Sequence, residues 1–562
     1  MEYILDKFED EVIEGVRKFL ELDIEIPIEI PDEERGDYAV PCFAFAKILK
    51  RSPSDIADSL AENIELKLGR AEATGPYVNF RIDDEELIKN TIEKCLEYQD
   101  SFGSYPSKKE KMILEHTSAN PNGPLHVGRA RNPIIGDTLA RVYEKIGYDV
   151  ERQYLVNDIG RQMAIFAWGS INLDEDELPE SERDKIDYRM VRYYQKANSL
   201  LEKNPEIEKE VRDIIHAMEQ GDEKTLNIFR SNAKKVLEGI TASLKRLNIT
   251  LDSFKNESDF VLDGSVDNLI DEMDTIDSCG REEGALYFEK CGQRTFLTRD
   301  DGTNLYPARD IAYHKWKARY TDILLNILGE DHKLHGKFIK NSLTALDINP
   351  IPEFVYYSFV SFEGKEMSTR KGTYVTLDDL MDTARNKAKK EILKRRNDLS
   401  NKDIKKISEN VGLGAVRFNI IKVQPEKPID FRWDEALNFL GDTGPFIQYT
   451  FARSCGILDK VEKEINLSEG DISRLDEPGE LRLIKTIAKF PRMLKTVSNN
   501  NAPHKLAKYA LELASEFNQF YRDHPVIKSK NKKVERVLLV KAYRYALKNL
   551  LDTLGLNAPE SM

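Results

Sequence analysis

The stretch Ile113–Asp137, ILEHTSANPNGPLHVGRARNPIIGD, decides how the rest of the 562 residues is read. An apolar strand over Met112–Leu114 runs into Glu115. A loop of turn formers follows (Asn120-Pro121-Asn122-Gly123-Pro124), then His126-Val127-Gly128-Arg129. Ile134, Leu139, Val142 and Ile146 recur near helical spacing, and alternation resumes over Val150, Arg152, Tyr154 and Val156. Strand, loop, helix and strand make a βαβ unit, whose ligand site lies where the loop leaves the carboxyl end of the strand. The loop brings backbone N–H groups and an imidazole to the start of a helix, a favourable place for phosphate. A His-x-Gly alone would be an ordinary connection; the longer string is the specific feature.

Upstream, residues 1 to about 107 read as a small α+β domain. An amphipathic helix precedes Ile24, Ile26, Ile28 and Ile30, whose alternation predicts a strand. A helical stretch breaks at Ser52-Pro53-Ser54, with Ser54 the expected cap of the next helix, and Tyr77–Ile82 is a second strand. Downstream, Asn157-Asp158-Ile159-Gly160-Arg161-Gln162 leads into a helix, and residues about 165–300 read as a polar, acidic, largely helical insertion. The sheet resumes at Thr321–Leu328, which ends in Gly329-Glu330-Asp331-His332, and again at Phe354–Phe362. A polar loop, Gly364-Lys365-Glu366-Met367-Ser368-Thr369-Arg370-Lys371-Gly372, follows. From about 438 the chain reads as helical to its end.

Hydrophobic residues make up 40% and charged residues 32%, so the chain reads as soluble and globular, and at this length about three or four domains are expected. Apolar runs fall short of the roughly 18 residues a membrane span needs. The acidic start MEYILDKFEDEV is neither a signal nor a transit peptide. Five cysteines (Cys42, Cys95, Cys279, Cys291, Cys455) are scattered without a C-x-x-C. That pattern argues against a disulfide framework or a zinc ribbon and for a reducing, cytoplasmic compartment. The net charge of −14 is unevenly divided: Leu481–Met562 carries +10 and the remainder −24. A basic final module on an acidic body suggests a polyanion docked locally, and a solvated basic helical face is the alternative.

The string from Ser118-Ala119-Asn120-Pro121 to Pro124-Leu125-His126-Val127-Gly128 resembles the first signature of class I aminoacyl-tRNA synthetases, in the form carried by arginyl enzymes. The Met367–Gly372 loop resembles their second signature. Gly36-Asp37-Tyr38-Ala39 and Gly75–Phe80 resemble the additional N-terminal domain of arginyl-tRNA synthetases, and Asn157–Gln162 has a counterpart there too. Gln448–Arg453, Glu516–Tyr521 and Gly555–Met562 resemble segments of their helical anticodon-binding domain. The chain is therefore identified as a member of that family. The resemblance implies an α/β fold: a Rossmann-like catalytic domain (108–380, insertion about 165–300), an N-terminal small α+β domain (1–107) that touches the tRNA elbow, a connecting stem-contact region (381–437), and a C-terminal α-helical bundle (438–562).

It also implies an arginine–tRNA ligase, likened to enzymes that form arginyl-adenylate from ATP only with tRNA present and then acylate the terminal adenosine 2′-OH. The expected partners are tRNA(Arg), L-arginine and ATP with Mg2+, with no zinc and no membrane, and the chain is expected to be a monomer. By the same resemblance His126, Gly128, Arg129, Ser368, Arg370 and Lys371 would act in catalysis, and His126, Gly128, Met367 and Ser368 would hold ATP. Glu115 and Asp310 would bind the guanidinium, Tyr306 and His332 would line the arginine pocket, and Asn120 would hold the α-amino or carboxylate end. Carboxylates suit a planar five-donor cation on general grounds, and Tyr306 and Asp310 share a helix face by spacing. Gln448, Arg453, Phe520, His524 and Met562 would contact tRNA. Three positions depart from the signatures. Arg129 replaces a histidine, and Glu366 and Thr369 replace lysines. Arg370 and Lys371, or Lys365, are expected to supply the charge, since the position where some arginyl enzymes compensate with a lysine is Gly123. Two alternatives stay open: a class I enzyme for another amino acid, such as cysteine, glutamine or lysine, and a catalytically inert RNA-binding relative.

Overall fold

In the N-terminal segment, helix Ile4–Leu20 buries Ile4, Leu5, Phe8, Val12 and Val16, spaced by the helical repeat. It packs on an antiparallel sheet of β1 (Tyr38–Pro41), β2 (Gly69–Thr74) and β3 (Tyr77–Ile82), with β3 central. Tyr38 meets Phe8 at 5.8 Å between ring centroids and donates to the Leu5 carbonyl at 2.7 Å. The computed structural model describes residues 2–21, 23–32, 34–362, 375–438 and 441–562. The alternating isoleucines form no strand: one bridge, Glu29 to Ala39, is all that pairs. Pro27 and Pro31 remove the ladder donors that a strand would need. Ser52, rather than Ser54, caps helix Pro53–Asn63, accepting from Asp55 N at 3.1 Å. Pro53 then sits in the first turn, where its missing N–H costs nothing.

The central sheet is parallel throughout, in the order β11–β10–β4–β5–β6. Its strands are β4 (Lys111–Glu115), β5 (Asp149–Val156), β6 (Ser253–Asn256), β10 (Ile323–Gly329) and β11 (Glu353–Tyr357). The chain leaves β4 toward β5 and β6 on one side and later adds β10 and β11 on the other. The β4/β10 boundary is therefore the switch point where a ligand crevice opens. The insertion is narrower than its composition suggested. Helices Ile186–Leu201, Pro205–Glu219 and Glu223–Arg246 make its long helical part, and the short helices Glu257–Leu262 and Ser265–Met273 follow further on. Ser253–Asn256 belongs to the central sheet, and β7 (Cys279–Glu282), β8 (Ala285–Lys290) and β9 (Gln293–Phe296) form an antiparallel sheet of their own. The expected strand Phe354–Phe362 is two. β11 stays with β10, while β12 (Val360–Phe362) turns away to pair with β13 (Ile429–Phe431). Buried Arg131 fixes that bend, donating to the carbonyls of Ser358 (2.8 Å), Lys427 (2.6 Å) and Gln424 (2.7 Å).

Helices Gly444–Leu458, Pro478–Asn500, Pro503–Asp523 and Lys533–Thr553 form the last unit. Two residues expected at its RNA surface belong to its core. Phe520 has no exposed surface, and neither has Gln448, whose amide donates to the carbonyls of Asn410 and Asn557 at 3.1 and 2.8 Å. His524 pairs with Glu477 at 2.9 Å and stacks on Phe520, and Met562 packs beside a buried cluster that includes Ala388 and Ile392. Arg453 is placed otherwise, over the rings of Tyr449 and Tyr521 at 4.8 and 5.5 Å, both of them partly exposed.

Asp137, fully buried on the helix Arg131–Lys145, ties these units together. Its carboxylate pairs with Arg417 and with Arg141 (2.8 Å). Arg417 also donates to the carbonyls of Leu554 (2.7 Å) and Leu247 (2.9 Å). Removing one partner of a buried pair strands the other, at about 3–5 kcal/mol. Arg417→Met should therefore lower the stability of the chain by that order, read as an earlier denaturant midpoint; an unchanged midpoint would refute the assignment.

Candidate active site

A cleft of about 1080 Å³ opens at the carboxyl ends of β4 and β10. Glu115, Asn120, His126, Gly128, Arg129, Tyr306, Asp310 and His332 all line it, so residues up to 217 positions apart in the chain converge there. Met367, Ser368, Arg370 and Lys371 lie outside the described residues.

The chain leaves β4 through a strained turn. Thr117 has φ +72° and Ser118 φ +35°, conformations that cost non-glycine residues about 1–3 kcal/mol. Local hydrogen bonds hold them. Asn132 Oδ1 accepts from Thr117 N at 2.5 Å, and Ser118 Oγ donates to Glu115 at 2.9 Å and accepts from Leu155 N at 3.1 Å. Past the turn, the first signature is stitched to the chain that follows the second. Val127 N donates to the Val375 carbonyl at 2.9 Å, and Leu377 N to the Leu125 carbonyl at 2.8 Å. Gly128 lies under the His126 ring: a Cβ there would come within 3.0 Å of Cε1 and Nδ1. Burial, with the Arg129 charge adding, pushes the His126 pKa down to about 4. The ring is neutral at pH 7, and its Nδ1 is buried without a partner. Arg129 makes no ion pair among the described residues. A bare cation, a neutral N–H donor and a glycine floor on one wall can receive a polyphosphate.

The opposite wall is acidic. Asp310 is buried; His335 Nε2 lies 2.5 Å from its Oδ2 and His314 Nδ1 3.1 Å from its Oδ1, and these partners hold its carboxyl well below the usual range. His335 also stacks on Tyr306 at 4.9 Å. These two histidines, unremarkable in the sequence, thus organise the pocket. His332 is half-exposed at the rim, 3.7 Å from Asp331. Asn120 and Asn122 both donate to Gln162 Oε1, at 3.1 and 3.2 Å, which fixes the loop to the Asn157–Gln162 segment. Glu257, just beyond β6, also lines the cleft. Arg309 is 2.6 Å from its Oε1, yet burial, with Asp310 and Asp158 adding, raises its pKa to about 7. Sequence reading missed Glu257 because the preceding strand, SFKN, is only four residues with a single apolar position and no legible pattern. Among the described residues, one set of groups stands at metal-binding spacing, Glu477, Glu480 and His524, and it lies in the helical unit rather than the cleft. Lys532 and Arg536 already pair both of those carboxylates.

Residues 91–433 match the family model for the class I (R) tRNA synthetase catalytic domain, 447–562 the DALR anticodon binding domain, and 3–82 the arginyl tRNA synthetase N terminal domain. The chain is 43% identical over 527 residues to an arginine–tRNA ligase of Methanocella arvoryzae, covering 92% of each. It is 39% identical over 574 residues to that of Methanothermobacter thermautotrophicus, covering all of both. Among solved structures it resembles the Thermus thermophilus arginyl-tRNA synthetase, with TM-score 0.86, 26% identity and 99% of each chain covered. The Plasmodium falciparum arginyl-tRNA synthetase shares the fold, with TM-score 0.83, 19% identity and all of both chains covered. With the switch-point cleft and three matching domains in order, the chain belongs to the arginyl-tRNA synthetase family.

Proposed function

We propose that this chain joins L-arginine to tRNA(Arg) in two steps, using ATP carried as its magnesium complex, as a cytoplasmic monomer serving translation. The observation that carries the reading is the two-walled cleft, with His126, Gly128 and Arg129 on one side and Asp310, Glu257 and Tyr306 on the other. The acidic wall suits a guanidinium, which presents several donors in one plane. The phosphate wall suits ATP. Between them the arginine carboxylate attacks the α-phosphorus, a C–O–P linkage forms, and pyrophosphate leaves. His126, neutral, has one N–H to give to a phosphate oxygen, and Arg129 offsets charge as it accumulates there. The Ser368–Lys371 segment would meet the departing pyrophosphate. In the second step the terminal 2′-OH attacks the acyl carbon and AMP leaves.

Arginine activation is proposed to wait for tRNA. The supporting observation is mechanical: Val375–Leu377 is bonded to Leu125–Val127, and the helix it begins, Leu377–Arg395, is held by Arg183, Lys185 and Arg246. A shift of the outer units on binding RNA would reach both signatures together. For the tRNA itself, Arg453 with Tyr449 and Tyr521 offers the stacking surface that unpaired bases need.

Pyrophosphate exchange into ATP tests the reading. Exchange is expected with arginine, only when tRNA(Arg) is present, and lost at least a hundredfold in Asp310→Asn. Exchange with lysine instead would overturn the acidic wall's assignment; tight tRNA binding with no exchange would make the chain an inert RNA binder. A pH series adds a second test. Glu257 must be ionised to meet a cation, so the KM for arginine should rise as pH falls below about 7, approaching about tenfold per unit. Glu257→Gln should raise the KM and abolish that slope; a slope that persists in the variant would dismiss Glu257 as its source.

A further inference from the structure

Lys317 has no exposed surface. It stands in the last turn of helix Tyr306–Ala318, on the same face as Tyr306, Asp310, Tyr313 and His314. Its Nζ donates to Glu115 Oε2 at 2.7 Å and to Asn326 Oδ1 at 3.3 Å, and lies 4.2 Å from the centroid of the Tyr313 ring. Asn326 returns a bond to the same Glu115 oxygen at 3.1 Å, and Ser118 donates to the other oxygen at 2.9 Å. Tyr313 is itself anchored, donating to Gln153 at 2.6 Å. Every polar group around the ammonium is therefore matched, and Glu115 has a full cation in contact before any substrate enters.

We infer that Lys317 is a positioning residue for amino-acid recognition: it is the standing counter-ion of Glu115, and it leaves Asp310, whose partners are the imidazoles of His314 and His335, as the buried cleft carboxylate with no lysine or arginine paired to it among the described residues. The inference rests on the proposed arginine activity and sharpens it. Two like cations at one carboxylate repel, and in a buried site that repulsion is weakly screened. A guanidinium is thus steered away from Glu115, although Glu115 was the first carboxylate that the sequence put forward for it. What Glu115 does with its charge is hold the strained Thr117–Ser118 turn through Ser118 and, with Asn326, lock the end of β4 to β10. Asn326 also lies 3.0 Å from His314 Nε2, whose other nitrogen faces Asp310. The pair therefore fixes the register of the true cation wall without touching the guanidinium.

A charge-removing double-mutant cycle separates this role from direct substrate binding. Lys317→Met leaves Glu115 buried and unpaired, and Glu115→Gln leaves Lys317 so. The double variant removes both charges while keeping both volumes. Arginine KM and kcat would be measured in tRNA-dependent aminoacylation, with the thermal midpoint of each protein recorded alongside. Each single variant is expected to raise the KM at least tenfold. The double variant should return it to within about threefold of the parent, with its midpoint recovering in step. A double variant as poor as Glu115→Gln, or poorer, would mean that arginine needs the Glu115 charge, and would overturn the inference. If a single variant fails to fold, comparison of the double variant with the parent still decides. An absence of arginine activity in the parent would instead count against the functional reading, and recovery of the midpoint alone would then test the pairing.

Discussion

The carboxylate of Asp137 joins the catalytic α/β unit to the end of the insertion, the helix that carries Arg417 and the last helix of the chain. It is wholly buried, on the helix that begins at the first signature. Burial alone would favour its protonated form, but Arg417 and Arg141 outweigh that and hold its pKa below the usual value. Arg152 on β5 stands 3.8 Å away. Arg417 extends the reach of the pair, because its remaining donors close on carbonyls at the end of the insertion and at the end of the last helix. Gly555 follows from this. With φ +70° it turns the chain past Leu554, and a side chain there would collide with the Arg417 guanidinium. A buried pair of this kind adds little net stability relative to an apolar contact. Its directional donors instead give the packing of four segments one geometry.

That geometry matters because the site is divided between elements with no local reason to stay aligned. The phosphate wall rides on the helix that carries Asp137, and the cation wall on the helix that begins at Tyr306. Asn132 bridges them from behind, accepting from the strained turn and donating to the Ile327 carbonyl of β10 at 2.8 Å. Arg131 does the same for the strand bend at Ser358. Consecutive residues of one helical turn thus fix the turn, the neighbouring strand and the cleft floor, while the signature residues just before them remain free for ligand.

The βαβ unit at Ile113–Asp137 was legible because strand, turn residues and helix each carry a local pattern, and the patterns agree. So were β10 and the pairing of Tyr306 with Asp310, since one follows from an apolar run and the other from helical spacing. What escaped was set by partners distant in sequence. Glu257 looks like any surface glutamate until β6 docks on β5. His314 and His335 acquire meaning only where Asp310 stands between them. Lys317, one of 84 basic residues, is distinguished only by its burial against Glu115. Gln448 and Phe520 are buried for a related reason: their neighbours in sequence matched a domain, but the helix face that each occupies is decided by the bundle. The isoleucine alternation failed because two prolines vetoed the pattern's hydrogen bonds.

The basic excess of the last module illustrates how far charge can mislead when it is counted without geometry. Lys495 pairs with Asp6 at 2.9 Å, Lys485 with Asp37 at 2.6 Å, and Arg492 stands 3.7 Å from Glu9 while lying over Tyr38. Lys532 and Arg536 are committed to Glu477 and Glu480. Three of the 16 basic residues behind the +10 are therefore spent on holding the N-terminal domain to the bundle, across a seam closed by Phe102 and Phe490 at 6.1 Å, and two more are paired within the bundle. A polyanion would have to compete with those carboxylates. Arg453 differs because its company is aromatic: two tyrosine faces pre-set the guanidinium plane, and both rings keep exposed surface. Rings and a planar cation can stack on a base whatever its phosphate charge, so the RNA contact proposed at this cluster does not depend on the paired lysines of the helices around it.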